Sequence, residues 1–119
     1  MNAVECLAGA RVAGADFQRS VNLFVDAFRR AGPDERASMV AAPISEQGQL
    51  EGLVAGVVSA LCREVGMAAP TWVERTHSPD PFFAFPARSF ALRVRLMIES
   101  PPPFRVRNVF VPDSYLSRA

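Results

Sequence analysis

Lysine is missing from this 119-residue chain: all thirteen basic residues are Arg. That bias is typical of GC-rich coding sequence and says more about genome composition than about function. Histidine is nearly missing too, and with His77 alone no multi-histidine metal site can form within one chain. Cys6 and Cys62 are the only cysteines, lie far apart and belong to no CxxC or Cys/His cluster. A disulfide framework and a zinc site are therefore not expected, and a reduced, cytoplasmic setting is. No GxGxxG motif and no GxxxxGK followed by Ser or Thr occurs, so a phosphate-cradling loop is lacking. Neither a metal nor a cofactor is expected.

Long apolar runs are also scarce. The most apolar stretch, residues 50–62, contains Glu51 and is too short to span a bilayer. Glu5 and Asp16 interrupt the start of the chain, which lacks the basic opening and apolar centre of a signal peptide. No membrane segment is expected. A formal charge of +1 supplies no long-range drive toward nucleic acid or anionic lipid.

What is present suffices for a fold. Half of the residues are hydrophobic and 21% are charged, which excludes an intrinsically disordered chain and suits one globular domain over 1–119. Every Gly lies at or before Gly66, whereas eight of the ten Pro and six of the nine Phe lie after residue 69. The chain therefore divides into a helical front half, 1–66, and a back half, 67–119, rich in Arg, Phe and Pro. The fold class expected is mainly α.

In the front half, residues 3–13 are Ala-rich and helical in character, with Gly14 as a break. Phe17, Val21, Phe24, Val25 and Phe28 then fall at i, i+4, i+7, i+8 and i+11, the stripe of an amphipathic helix over 16–31. Gly32 and Pro33 stop it. A short helix over 34–42 closes at Pro43. Ser45 is a candidate N-cap for a second long helix whose apolar face runs through Leu53, Val54, Val57, Val58, Leu61, Cys62 and Val65 and which ends at Gly66. Gly52, Gly56 and Ala60 recur every fourth residue along it. They permit close approach of a neighbouring backbone, either as tight packing within the chain or as the seam of a homodimer; outside membranes such spacing is a weak signal.

The back half is harder to read. Pro residues keep the loop through His77-Ser78-Pro79-Asp80-Pro81 out of regular structure. Phe90, Leu92, Val94, Leu96 and Ile98 alternate with Arg93 and Arg95 as in a strand, yet Phe90, Val94, Met97 and Ile98 also fit a helix, which the Leu, Met, Ala and Arg content favours. Ser100 followed by Pro101-Pro102-Pro103 resembles an N-cap with Pro in the first helical turn. The alternative is α+β, with a β-hairpin over 90–111 whose return strand carries Phe104, Val106, Val109 and Val111. Asn108 is a candidate helix stop, and Pro112-Asp113 opens a final turn with Tyr115 and Leu116.

Chemistry-bearing groupings are few. His77, Ser78 and Asp80 lie together in sequence, but adjacency is not triad geometry and no GxSxG signature accompanies them. Asp34 with Glu35, and Glu46 with Glu51, could be set up as paired carboxylates, but all four lie near expected helix starts, where the helix dipole favours them anyway. Enzymatic activity is not expected. The strongest grouping is Arg88, Arg93, Arg95, Arg105 and Arg107 interleaved with Phe90, Phe104 and Phe110. Residues 76–119 hold six Arg against Asp80, Glu99 and Asp113, a balance of +3, while residues 1–75 hold seven Arg against nine acids, or −2. Guanidinium groups fork onto carboxylates and phosphates and stack on rings, so this set suits an acidic protein surface or a nucleic-acid backbone.

The same half carries a resemblance. Ser100-Pro101-Pro102-Pro103-Phe104-Arg105-Val106-Arg107-Asn108-Val109-Phe110-Val111, preceded by Trp72 and by Phe82-Phe83-Ala84-Phe85-Pro86 and followed by Leu116-Ser117-Arg118-Ala119, resembles the C-terminal segment of antitoxin-like bacterial helix-turn-helix regulators, often encoded beside a nucleotidyltransferase-type toxin. The resemblance covers roughly the last fifty residues and implies partner binding and autoregulation, with no catalytic residues. No helix-turn-helix module is recognisable at the N-terminus, so direct DNA binding is the second reading. The residues the sequence assigns to a protein partner, such as a toxin of that type, are Trp72, Phe83, Arg88, Arg93, Arg95, Phe104, Arg105, Arg107 and Phe110.

Overall fold

A computed structural model describes residues 1–85 and 89–117. The first helix, α1 (Ala3–Ala13), starts at a reciprocal cap. The Asn2 side chain accepts from the Glu5 N–H at 2.8 Å, and the Glu5 carboxylate accepts from the Asn2 N–H at 3.0 Å. It stops at Gly14, whose φ of +60° lies in the region glycine adopts most cheaply. A single 3-10 turn leads into α2 (Phe17–Arg30), which buries Val21, Phe24, Val25 and Phe28 of the stripe read from the sequence and leaves Phe17 half-buried.

Pro33 plays a second part beside the one expected. α2 does stop just ahead of Gly32 and Pro33, but Pro33 also occupies the first turn of α3 (Pro33–Ala41), where its missing N–H is no loss, behind the cap residue Gly32. The cap of α4 (Gln49–Glu64) is Gly48 rather than Ser45. This helix is the axis of the fold. Gly52 through Val58, Leu61 and Cys62 are all buried, and a helix apolar on every side belongs inside. It packs against α1 and α2 on the front side and against back-half elements on the other.

The back half wraps α4. A 3-10 turn at Thr71–Glu74 inserts Trp72, whose indole N–H donates to the Val40 carbonyl at 2.8 Å. Two-residue strands β1 (Phe82–Phe83) and β2 (Val109–Phe110) pair in parallel, Phe82 opposite Val109 and Phe83 opposite Phe110. Between them run α5 (Phe90–Glu99), capped by the Ser89 hydroxyl, and the short α6 (Pro102–Arg105). The fold is mainly α, as expected. The hairpin alternative over 90–111 fails because 90–99 is helical and the strand that residues 109–110 join lies upstream, at 82–83. Pro102 and Pro103 do sit in the first turn of α6, but Pro101 caps it. Ser100 instead ends α5; its hydroxyl lies within hydrogen-bond reach of the Leu96 and Val111 carbonyls, which share its single proton, and accepts from the Val111 N–H. Asn108, at φ +64°, turns the chain after α6.

One buried cluster runs from Ala3 to Val111 and so joins both halves. A second, small one, Leu96 and Phe110 with Phe83 and Leu92 against it, holds α5 to the strand pair. Among the described residues no helix is long and apolar enough to cross a membrane.

Candidate partner-binding surface

Burial sorts the expected partner residues into two groups. Trp72, Phe104, Arg107 and Phe110 are interior, and their placement corrects the reading of them as contact residues. Phe104 is sealed against α4 at Gly56, where a Cβ would come within 2.7 Å of its ring. Its other side meets Tyr115 edge-on at 5.5 Å between centroids. Phe110 lies under α5 and stacks, tilted, on Phe83 at 5.2 Å. Arg107 is the least expected. Its guanidinium is buried and donates to the carbonyls of Val73 at 3.0 Å and Pro103 at 2.7 Å, stitching the Trp72 turn to α6. Desolvation lowers its pKa, with Glu74 opposing at longer range. Its Nε and one terminal nitrogen serve these backbone carbonyls.

The small-residue stripe on α4 is filled from within the chain. A Cβ on Gly52 would meet the backbone of His77 and Ser78, with Ser78 N at 2.7 Å, and Ala60 is half-buried against the core. Close packing, and not a dimer seam, is what Gly52 and Gly56 serve here.

The second group faces outward. Arg93, Arg95 and Arg105 are exposed, and Phe83 is half-buried beneath the Arg93 guanidinium, 5.5 Å from its ring centroid. Arg95 reaches Glu99 one turn on at 3.2 Å, and Arg105 donates to the Ile98 carbonyl at 3.2 Å, which ties α6 to the end of α5. Arg88 lies outside the described residues. Between these cations is an apolar stripe. Leu92 and Leu96 turn α5 toward the strands, so Phe90, Val94, Met97 and Ile98 line its other side at helical spacing. Phe90 is 83% exposed, Ile98 71%, and Val106, just beyond α6, 73%. Exposed apolar residues scattered singly need no explanation, as with Val12 on α1; a contiguous set on one helix face does. The sequence carried this stripe as evidence for a helix, but periodicity alone did not say that it faces solvent.

The remaining groupings make other contacts among the described residues. The Ser78 hydroxyl donates to the Asp80 backbone carbonyl, and the exposed His77 is held only through its backbone, by Gln47 and Gly48. Glu46 and Glu51 share Arg11 at 3.3 and 2.5 Å. Cys6 and Cys62 are buried free thiols, and desolvation pushes Cys6 up to about 12 and raises Cys62. Among the described residues no group of three His, Cys, Asp or Glu could hold a metal ion. Compared with family models, curated proteins and solved structures, the chain finds no match.

Proposed function

We propose that the protein works by binding another protein through the outer face of α5, as the antitoxin-type or accessory member of a bacterial toxin–antitoxin pair. The observation that carries the reading is the apolar stripe of exposed Phe90, Met97 and Ile98 around half-buried Val94, with Arg93 and Arg95 on its flanks. Such a helix suits an apolar groove that takes anchors at i, i+4 and i+7 or i+8, and the Arg flanks suit a groove rimmed by carboxylates. A second copy of this chain fits less well, because pairing α5 with itself sets Arg against Arg. Nucleic acid is also less favoured. Arg107 is spent on interior carbonyls and Arg95 is paired with Glu99.

The resemblance of residues 100–111 to antitoxin-like regulators names the sharpest partner, a nucleotidyltransferase-type toxin. Co-expression with the product of a neighbouring toxin-like reading frame tests it. Growth rescue and co-purification by the wild-type chain, both lost in the Phe90→Ser/Ile98→Ser double variant, are expected. A neighbourhood with no such enzyme, no rescue and no co-purifying product would end the proposal. Retention on DNA or RNA that weakens as salt rises would move the function to nucleic acid.

A further inference from the structure

A cleft of about 630 Å³ opens on the side of the molecule where α2 meets the strand pair and the C-terminal turn. Its size lies in the ordinary range for small-molecule sites. Two features set it apart from a packing gap. Its described lining is aromatic and amide-bearing, with Phe17, Phe83, Phe85 and Tyr115 for walls and Gln18 and Asn22 for polar groups, and no residue of formal charge lines it. The polar groups are also oriented by one another. The Tyr115 hydroxyl donates to Gln18 Oε1 at 2.5 Å, and Gln18 Nε2 donates to Asn22 Oδ1 at 3.0 Å. Burial raises the Tyr115 pKa above its ordinary value, so the phenol keeps its proton and stays the donor at neutral pH. With Oδ1 engaged, Asn22 is left with its two N–H donors, which have no partner among the described residues, and the Ser114 hydroxyl at the rim is likewise uncommitted.

We propose that this cleft is a binding site for an uncharged, planar aromatic ligand that carries a carbonyl acceptor, the ring held between Phe83, Phe85 and Tyr115 and the carbonyl on the Asn22 amide. Among the described lining residues an anion would find no cation and a cation no carboxylate, and burying either unpaired is unfavourable. The site takes no lining residue from α5, although Arg93 lies over the Phe83 ring, and it does not depend on the function proposed for that helix.

Titration with benzamide, benzoate and benzylamine, followed by amide resonances of the full chain, tests the assignment. Benzamide is expected to produce saturable shifts at the Gln18 and Asn22 side-chain amides and at Ala84, Ser114 and Tyr115, with benzoate and benzylamine at least several-fold weaker. Asn22→Ala is expected to weaken benzamide about threefold to tenfold, the worth of one net hydrogen bond. Ala15→Trp, at an exposed position on the rim, is expected to block it. If Asn22→Ala fails to keep the wild-type melting curve, Ser114→Ala takes its place, with a smaller weakening expected. Shifts that never saturate, benzoate or benzylamine binding as tightly as benzamide, or benzamide binding untouched by the rim and amide variants would each overturn the assignment.

Discussion

In the front half two of the three phenylalanines of α2, Phe24 and Phe28, are sealed in the core and the third, Phe17, is half-buried, whereas the back half divides its aromatics between the interior and solvent. Phe104 is as deeply buried as Phe24 or Phe28, while Phe90 stands open on α5. The same division runs through the Arg residues of the back half, with Arg107 inside and Arg93, Arg95 and Arg105 outside. The back half is thus two structures in one stretch of chain. The Trp72 turn, α6 and β2 are built into the α4 core, and α5 rides outside on a four-residue cluster. A segment held by so few apolar contacts can be spared for recognition, because losing it leaves the core intact.

The contrast is sharpest at two phenylalanines. Phe104→Ala empties the notch at Gly56 and is expected to destabilise by about 3–5 kcal/mol, whereas Phe90→Ser is expected to change stability by about 0.5 kcal/mol or less; paired urea melts measure both. Similar urea midpoints for the two variants would erase the distinction. Next comes Arg107. Arg107→Met leaves the Val73 and Pro103 carbonyls unpaired and is expected to destabilise by about 2 kcal/mol, against about 0.5 kcal/mol or less for Arg95→Met, which removes one exposed i,i+4 pair. Gly52→Ala gains up to about 1 kcal/mol of helix propensity. Its Cβ, however, must displace the backbone of His77 and Ser78, at about 1–3 kcal/mol, so a net loss is expected in thermal unfolding. Gly56→Ala is expected to cost a similar amount, because its Cβ meets the fully buried Phe104 ring, backed by Tyr115, at 2.7 Å and the Pro103 carbonyl at 3.3 Å.

The smallest effect concerns a strap between the halves. Arg29 on α2 forks onto Glu64 of α4 at 2.8 and 3.0 Å and also donates to the Leu116 carbonyl at 2.8 Å. Its hydrogen bond holds the Glu64 carboxyl below its ordinary pKa. The stabilisation is therefore complete above the ordinary carboxylate value and is lost as pH falls through the depressed one. Glu64 is nearly half exposed, so Glu64→Gln should cost less than about 1 kcal/mol at neutral pH. The gap to wild type should close in acid, and a gap that widens there would contradict the pairing.

Much of this division was open to sequence reading, and its limits are physical. The stripe on α2 was legible because only one face of that helix is apolar. On α5 the helix was legible but its orientation was not, since Leu92 and Leu96 on one side and Phe90, Val94 and Ile98 on the other satisfy the same period. Gly52 and Gly56 announced a close approach without naming His77, Ser78 and Phe104 as the groups that approach. The strand pair could not be seen, because two residues show no alternation. Arg107 carried no local sign of burial, as a charge reads as surface until its carbonyl partners are in place. The cleft joins Gln18 to Tyr115, 97 positions apart, a separation beyond any local pattern.

Native-state hydrogen exchange on one sample compares the two regions most directly. The amides of α4 between Leu53 and Leu61 are expected to exchange only through global unfolding, and those of α5 between Arg93 and Glu99 through a local opening of distinctly lower free energy that leaves α4 protected. Equal protection of the two helices, falling together with denaturant, would mean that α5 belongs to the core, and would contradict the account of it as an outlying recognition helix.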